Sequence, residues 1–415
     1  MTGARPARAS AGDSGGTPAG AAPGVSHGNV PGTEGVAVHL LLPSLHVADA
    51  SGAHTLAARD ALRAAGFVSE LFVEHVDAPL AGEAHHVDRL DDFVVAGRTV
   101  LVYQLAVGSA IAERLMQRGE PLVVNYHNLT PASFFWQWAP DWLGAVESGR
   151  QQLHRLAPRV THAIAVSAFN ERDLRAAGYR STSVVPPFVD LGAFGPRADA
   201  DADADADAAA GVSAGAGGDR VRGSGGTSWL FVGKLLPHKA AHDLVKALAA
   251  YRRGFDPTAS LTLVGGHPVP SYAAAVRGYA HELGLADAVR LVGSVSLDEL
   301  VGHYRTADAF VCLSDHEGFC FPLLEAMHHG VPVVAFDAGA VRDTAGPAAL
   351  VLAEKSPAVV ATAVHRAVAD AELRARLVAA GAERLGAFAL ERTAQRFVDT
   401  LRGVMARPDL LRAAS

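Results

Sequence analysis

Beyond residue 35 the chain alternates between short, unbroken apolar runs and longer stretches whose apolar residues recur every three or four positions. The runs at 36–42, 68–73, 100–103, 122–125, 163–166 and 183–185 suit strands buried on both faces. Between several of them, 54–65, 111–118 and 168–177 are rich in Ala and Leu at helical spacing. The rhythm resumes with strand patterns at 229–232, 261–264, 289–292, 309–313 and 331–336, and helical ones at 241–252, 272–283, 297–304 and 322–329. An amphipathic stretch closes the pattern at 390–405, with Leu390, Ala394, Phe397, Val398, Leu401 and Val404 on one side. Two strand–helix series in one chain predict an α/β protein with two Rossmann-like, doubly wound parallel sheets, whose ligands bind at the carboxyl ends of the strands.

What lies outside the rhythm sets the boundaries. Residues 1–34 are rich in Ala, Gly, Pro and Ser and carry almost no large apolar side chain, so a disordered tail is expected. An Asp-Ala repeat followed by a Gly/Ser tract marks 195–227 as a linker or insert. The expected organisation is a tail (1–34), a first Rossmann-like domain (35–194), the insert (195–227), a second Rossmann-like domain (228–388), and a terminal helix (389–415).

Composition narrows the function classes. The 415 residues exceed the usual limit for a single core, and 49% hydrophobic with 19% charged residues describes a globular chain. Five of the seven excess negative charges are Asp199, Asp201, Asp203, Asp205 and Asp207, all in the repeat. The remaining body is nearly neutral and offers no electrostatic footprint for nucleic acid. Arg5 and Arg8 precede no apolar run that would make a signal peptide, and no apolar stretch is long enough to span a bilayer. A cytoplasmic location is expected. Cys312 and Cys320 supply no disulfide framework and too few ligands for a structural zinc.

The most informative chemistry lies between Ser314 and Met327. Glu317 falls on the loop after a strand, and Glu325, with seven residues between them, falls early on the next helix. Backbone N–H groups of Gly318 to Phe321 crowd that helix start and favour an anion such as a diphosphate. A carboxylate on each side could grip sugar hydroxyls, so a sugar nucleotide is the expected ligand. Upstream, Gly233, Lys234 and Lys239 follow another strand, and both ammonium groups are expected to reach the same phosphates.

The run EGFCFPLLEAM resembles the E-x7-E motif of the family-4 retaining glycosyltransferases, and Gly233-Lys234 with Lys239 is similar to their phosphate loop. The resemblance covers about 36–405 and implies a GT-B fold, two such domains facing across a cleft. It implies transfer of a sugar from a nucleotide-diphosphate donor to a glycan, lipid or small-molecule acceptor with retention, without cofactor or metal. By the same resemblance Glu317 meets the donor sugar near its anomeric carbon and Glu325 meets the ribose hydroxyls. Gly318, Phe319 and Cys320 offer backbone N–H groups, and Lys234 and Lys239 neutralise the departing phosphate. His127, in Asn125-Tyr126-His127-Asn128, resembles the family's histidine facing the donor sugar, and the Ser51-Gly52-Ala53-His54 turn its first glycine loop.

Ser109, after the 100–103 strand, is a weaker candidate for the acceptor side. Phe134, Phe135, Trp136 and Trp138 make the densest aromatic cluster of the chain. Phe135 and Trp136 are read either as a platform for an acceptor sugar or lipid carrier, with peripheral membrane contact, or as a small core. Two other classes stay open: a GT-B enzyme of different chemistry, such as an epimerase or phosphorylase, and a catalytically idle scaffold.

Overall fold

The computed structural model describes residues 35–47, 49–197 and 226–406. The N-terminal tail and the Asp-Ala repeat lie outside the described residues. Two all-parallel sheets make up the core. The first contains β1 (Ala37–Leu45), β2 (Leu71–Val76), β3 (His85–His86), β4 (Thr99–Leu105), β5 (Leu122–Tyr126), β6 (His162–Ala165) and β7 (Thr182–Val184), in the order β3-β2-β1-β4-β5-β6-β7. The second contains β8 (Ser228–Val232), β9 (Ser260–Val264), β10 (Val289–Gly293), β11 (Ala309–Cys312), β12 (Val333–Phe336) and β13 (Ala349–Leu352), in the order β10-β9-β8-β11-β12-β13.

Continuous apolar runs become central strands because helices cover both faces. All seven residues of β4 are buried, and Leu41 in β1 pairs with Tyr103 in β4. Strand order reverses between β1 and β4 in one sheet and between β8 and β11 in the other. A crevice opens beyond the carboxyl ends of strands at such a reversal. His46 to Gly52 follows β1, the Val107–Ser109 loop follows β4, Gly233 follows β8, and the Ser314–Cys320 loop follows β11. Four of the loops singled out in the sequence therefore meet at the two crevices.

The helix Leu390–Met405 leaves the second sheet and packs on the first. Phe397, Val398, Leu401 and Val404 join Val38, Leu40, Leu62 and Val102 in one buried cluster. Arg396 and Arg402 donate to the carbonyls of Val184 and Ala65. Among the described residues no helix is long and apolar enough to cross a membrane.

Several elements depart from the expected pattern. Helices Leu143–Leu156, Pro357–Ala369 and Ala371–Leu385 and strand β13 were not foreseen. The first buries Gly149 and Gln152 on its inner face, where a hydrophobic pattern expects larger apolar residues. The next two are so rich in Ala that their apolar stripe blurs. The Ser51–His54 segment, expected as a turn, forms the first turn of helix Ala50–Ala64. Asp49 caps it by accepting from the Gly52 N–H at 3.1 Å, so Gly52 is helical rather than part of an open loop.

Candidate functional site

Lys239 and Glu317 form the centre of the cleft. Lys239 Nζ lies 2.7 and 2.8 Å from the two carboxylate oxygens of Glu317, which is only 5% exposed. Burial pushes the Lys239 ammonium down, but the Glu317 carboxylate beside it holds its pKa above the ordinary value. The neighbouring carboxylate thus outweighs burial and keeps the Lys239 ammonium charged.

The Glu317 loop is held on all sides by backbone contacts. Asp315 N–H donates to His238 O at 2.7 Å, Ala340 N–H to Glu317 O at 2.9 Å, and the Thr344 hydroxyl to Phe319 O at 2.6 Å. At Gly339 a Cβ would lie 2.2 Å from Glu317 O, so that crossing requires glycine. Gly318 touches the first lobe: a Cβ there would lie 2.6 Å from Asn128 Cβ and 2.7 Å from His127 O. Its carbonyl accepts from the Ser167 hydroxyl at 2.9 Å and from Asn170 Nδ2 at 3.3 Å. Asn128, Ala240 and Cys320 are the non-glycine residues with positive φ among those described, at 98°, 49° and 70°. All three lie at the cleft, where backbone strain is often concentrated.

The two lysines do not converge on one point. Lys234, exposed after β8, reaches across the cleft to Asp49 Oδ1 at 3.2 Å, while Lys239 is held by Glu317. Gly233 follows β8 with its N–H on Val264 O. Glu325 lies on helix Phe321–His328, and its Oε2 accepts from the Tyr304 hydroxyl at 2.7 Å. Burial pushes the Glu325 carboxyl up to about 7, against the opposing pull of the Tyr304 hydrogen bond.

His127 belongs to a polar chain that runs beneath the cleft. The Phe188 N–H donates to His54 Nδ1 at 3.0 Å; His54 Nε2 is 2.9 Å from the Asn125 amide, which is 2.8 Å from the Gln104 amide, itself 2.7 Å from His127 Nε2. Burial holds His54 well below its ordinary pKa and His127 at about 4, so both rings are neutral at pH 7. A backbone N–H can only donate, so His54 Nδ1 is the acceptor and its proton sits on Nε2. Amide nitrogen and oxygen exchange places on a half-turn, and the network decides between them. Asn125 must face His54 with its oxygen, Gln104 must then donate its NH2, and His127 Nε2 must accept. The proton of His127 therefore sits on Nδ1, and Gln104 occupies the lone pair on Nε2.

Other expected residues fall differently. Phe135 is 3% exposed and packs against Trp142 and His238, so it is core rather than platform, whereas Trp136 is 63% exposed. The Ser109 hydroxyl is tied to Tyr103 and its N–H to Gln152, which leaves it structural. The Phe319 ring packs against Phe321 and Phe388, so only its backbone can serve a ligand. Cys312, Glu317 and Cys320 each present one ligand atom within 4.8 Å of the others. Both Glu317 oxygens are engaged by Lys239, so a cation there would have to displace the ammonium. Sequence reasoning missed Asp49, Asn128, His316, Ser167 and Asn170. Asp49 was legible as a helix cap before an apolar-periodic run, while His316 (2.5 Å from Asn128 Oδ1) and the Gly318 partners depend on contacts between lobes.

Two cavities flank the centre. One of about 570 Å³ is bordered by Arg150, Arg172 and His316. The other, of about 750 Å³, is bordered by Trp136, Trp138, Tyr272 and Asp315.

Residues 223–384 match the family described as glycosyl transferases group 1. A D-inositol 3-phosphate glycosyltransferase of Kineococcus radiotolerans is 30% identical over 343 residues, covering 78% of this chain and 74% of the relative. The chain belongs to the group 1 glycosyltransferases. Another member, a GDP-mannose-dependent alpha-(1-6)-phosphatidylinositol monomannoside mannosyltransferase of Mycobacterium tuberculosis, is 36% identical over 182 residues. That match covers 41% of this chain and 46% of the relative, so the chain spans about half the length of the first curated relatives it matches. Among solved structures, sucrose-phosphate synthase from Thermosynechococcus elongatus superposes with a TM-score of 0.67 at 21% identity, over 89% of this chain and 99% of that one. A structure of Anabaena HepE in complex with UDP-glucose gives 0.65 at 16% identity, over 88% and 99%. The fold of this group 1 glycosyltransferase is accordingly GT-B.

Two outcomes follow for the site. Nitrogen-15 NMR of the imidazoles should show His127 unprotonated at Nε2 and protonated at Nδ1 at pH 7, and Gln104→Glu should move the proton to Nε2. An Nε2–H tautomer in the native protein would refute the polar chain as assigned. For Glu325, the folded protein keeps a proton between pH 4.5 and about 7 that the unfolded chain gives up. Wild type should therefore lose about 3 kcal/mol relative to Glu325→Gln as pH rises through that window, read from urea midpoints. Parallel stability curves would show that the Glu325 carboxyl is not shifted.

Proposed function

We propose that this chain transfers a sugar from a nucleoside-diphosphate donor to an acceptor hydroxyl, with retention of anomeric configuration, as a family-4 hexosyltransferase working in the cytoplasm. The observation that carries this reading is the Lys239–Glu317 pair, set beyond the carboxyl ends of the second sheet on a loop whose Gly318 lies against the His127 backbone. The names of the relatives, one GDP-mannose-dependent, support a nucleotide-sugar donor.

In this reading the donor diphosphate takes over Lys239, with Lys234 on its other side. Charge grows on the departing phosphate as its bond to the anomeric carbon breaks, and a fixed ammonium stabilises that change more than the ground state. Glu317, released from the ion pair, accepts hydrogen bonds from donor-sugar hydroxyls. The backbone N–H groups of Gly318, Phe319 and Cys320 serve the sugar or the diphosphate. His127, neutral and protonated at Nδ1, donates to the sugar from the first lobe. The acceptor oxygen bonds to the anomeric carbon on the face the phosphate leaves, and its proton passes to that phosphate. Glu325 receives the ribose hydroxyls. Lys234, Lys239 and the helix N-terminus supply the positive charge, so no divalent metal is required.

The two glutamates should fail differently in steady-state kinetics with titrated donor. Glu325→Ala should weaken donor binding by about 1–3 kcal/mol, as expected for lost hydrogen bonds to a charged group, with turnover falling less. Glu317→Gln, beside the reacting carbon, should lower turnover more than affinity. Near-native turnover and affinity in both variants, or activity abolished by chelator and restored by Mg²⁺, would contradict the mechanism.

A further inference from the structure

The larger flanking cavity has a lining that the transfer mechanism does not use. The 133–138 segment of the first lobe forms one wall, with Trp136 and Trp138, and helices Ala241–Gly254 and Pro270–Glu282 of the second lobe form the other, with Tyr272 and Tyr279. Trp138 packs edge-on against Tyr272 at 5.2 Å, and its carbonyl accepts from the Ser271 hydroxyl at 3.2 Å, which ties the walls together. Trp136 is left 63% exposed on this cavity and makes no ring stacking among the described residues. At about 750 Å³ the space falls within the usual range of ligand sites.

The polar side of the lining narrows the ligand. Lys246 pairs with Asp243 at 3.1 Å, Asp243 with Lys355 at 2.7 Å, and Lys355 with Asp315 at 2.5 Å. Lys246 and Asp315 from this ladder reach the cavity, beside His242 and Gln137. A lipid tail would strip water from these charges without replacing it, which is costly. A sugar ring suits both sides, because its C–H face stacks on an aromatic ring while its hydroxyls bond to ionised groups. Pro237 and Asp315 border the cavity, and each lies two residues before a member of the Lys239–Glu317 pair.

We propose that this cavity is a carbohydrate subsite that holds sugar units of an oligosaccharide acceptor away from the point of transfer. The inference rests on the glycosyltransferase reading and names its acceptor class. Trp136 provides the stacking face, and Lys246 and Asp315 receive the hydroxyls.

Saturation-transfer NMR on the full chain, with gluco-, manno- and galacto-trisaccharides and no donor, tests the subsite directly. At least one trisaccharide should bind more tightly than its monosaccharide, and Trp136→Ala should weaken it by about tenfold, as for loss of one stacked ring. Trp136 is exposed enough for the variant to fold, which its melting temperature would verify. No trisaccharide signal, equal binding by the variant, or a Trp136-dependent response only to phosphatidylglycerol vesicles or to uridine or guanosine diphosphate would overturn the proposal. Thermal shift by the same diphosphates probes the donor reading separately: a shift without trisaccharide binding sinks the subsite alone. Trisaccharide binding without a shift sustains the subsite and sinks the donor reading.

Discussion

A buried ion pair is tolerated only when each charge keeps its partner, and Lys239 and Glu317 impose that condition on the whole cleft. Removing one member leaves a desolvated charge at a cost of about 3–5 kcal/mol, so neither side chain can leave the other without a replacement. In the proposed mechanism a nucleotide sugar brings both replacements, a diphosphate for the ammonium and hydroxyls for the carboxylate. On that proposal the free protein keeps both side chains satisfied until a ligand of matching charge arrives. Strand order explains their meeting: β8 and β11 are neighbours at the reversal of the second sheet, so the loops that follow them share one crevice.

The same loop joins the lobes. Gly318 lies against Asn128, its carbonyl is held by Ser167 and Asn170, and Asp343 accepts from the Phe169 N–H at 2.9 Å. On the first lobe the orientation of His127 is inherited from Phe188 through His54, Asn125 and Gln104. Phe188 and His54 in turn pack against Phe397 of the returning helix. The final helix is therefore linked by direct contacts to the histidine that faces the cleft.

Much of this was legible in the sequence because parallel strands announce themselves as unbroken apolar runs, and because the two glutamates and two lysines sit at fixed distances along short segments that follow single strands. Whatever depends on packing between distant segments was not. His54, Gln104 and Asn125 come from three elements that only the order of the first sheet brings together. The divergence of Lys234 toward Asp49 depends on the approach of the lobes, which no local pattern encodes. Phe135 and Trp136 are neighbours in one aromatic run, yet one is buried and the other exposed, a division set by the His238 and Trp142 rings. Gly52 was misread because a glycine after a strand usually signals a loop, and the cap at Asp49 outweighed it.

The central claim is that the donor diphosphate replaces Glu317 as the partner of Lys239. Calorimetric titration of a nucleoside diphosphate into the wild type, Lys239→Met, Glu317→Gln and the double variant tests it most directly. Glu317→Gln should bind the diphosphate at least as tightly as the wild type, because a competing carboxylate is gone, while Lys239→Met should bind it far more weakly. The double variant should resemble Lys239→Met, with a coupling of about 1 kcal/mol or more between the two sites. Equal loss of affinity in the two single variants, adding fully in the double, would contradict the account.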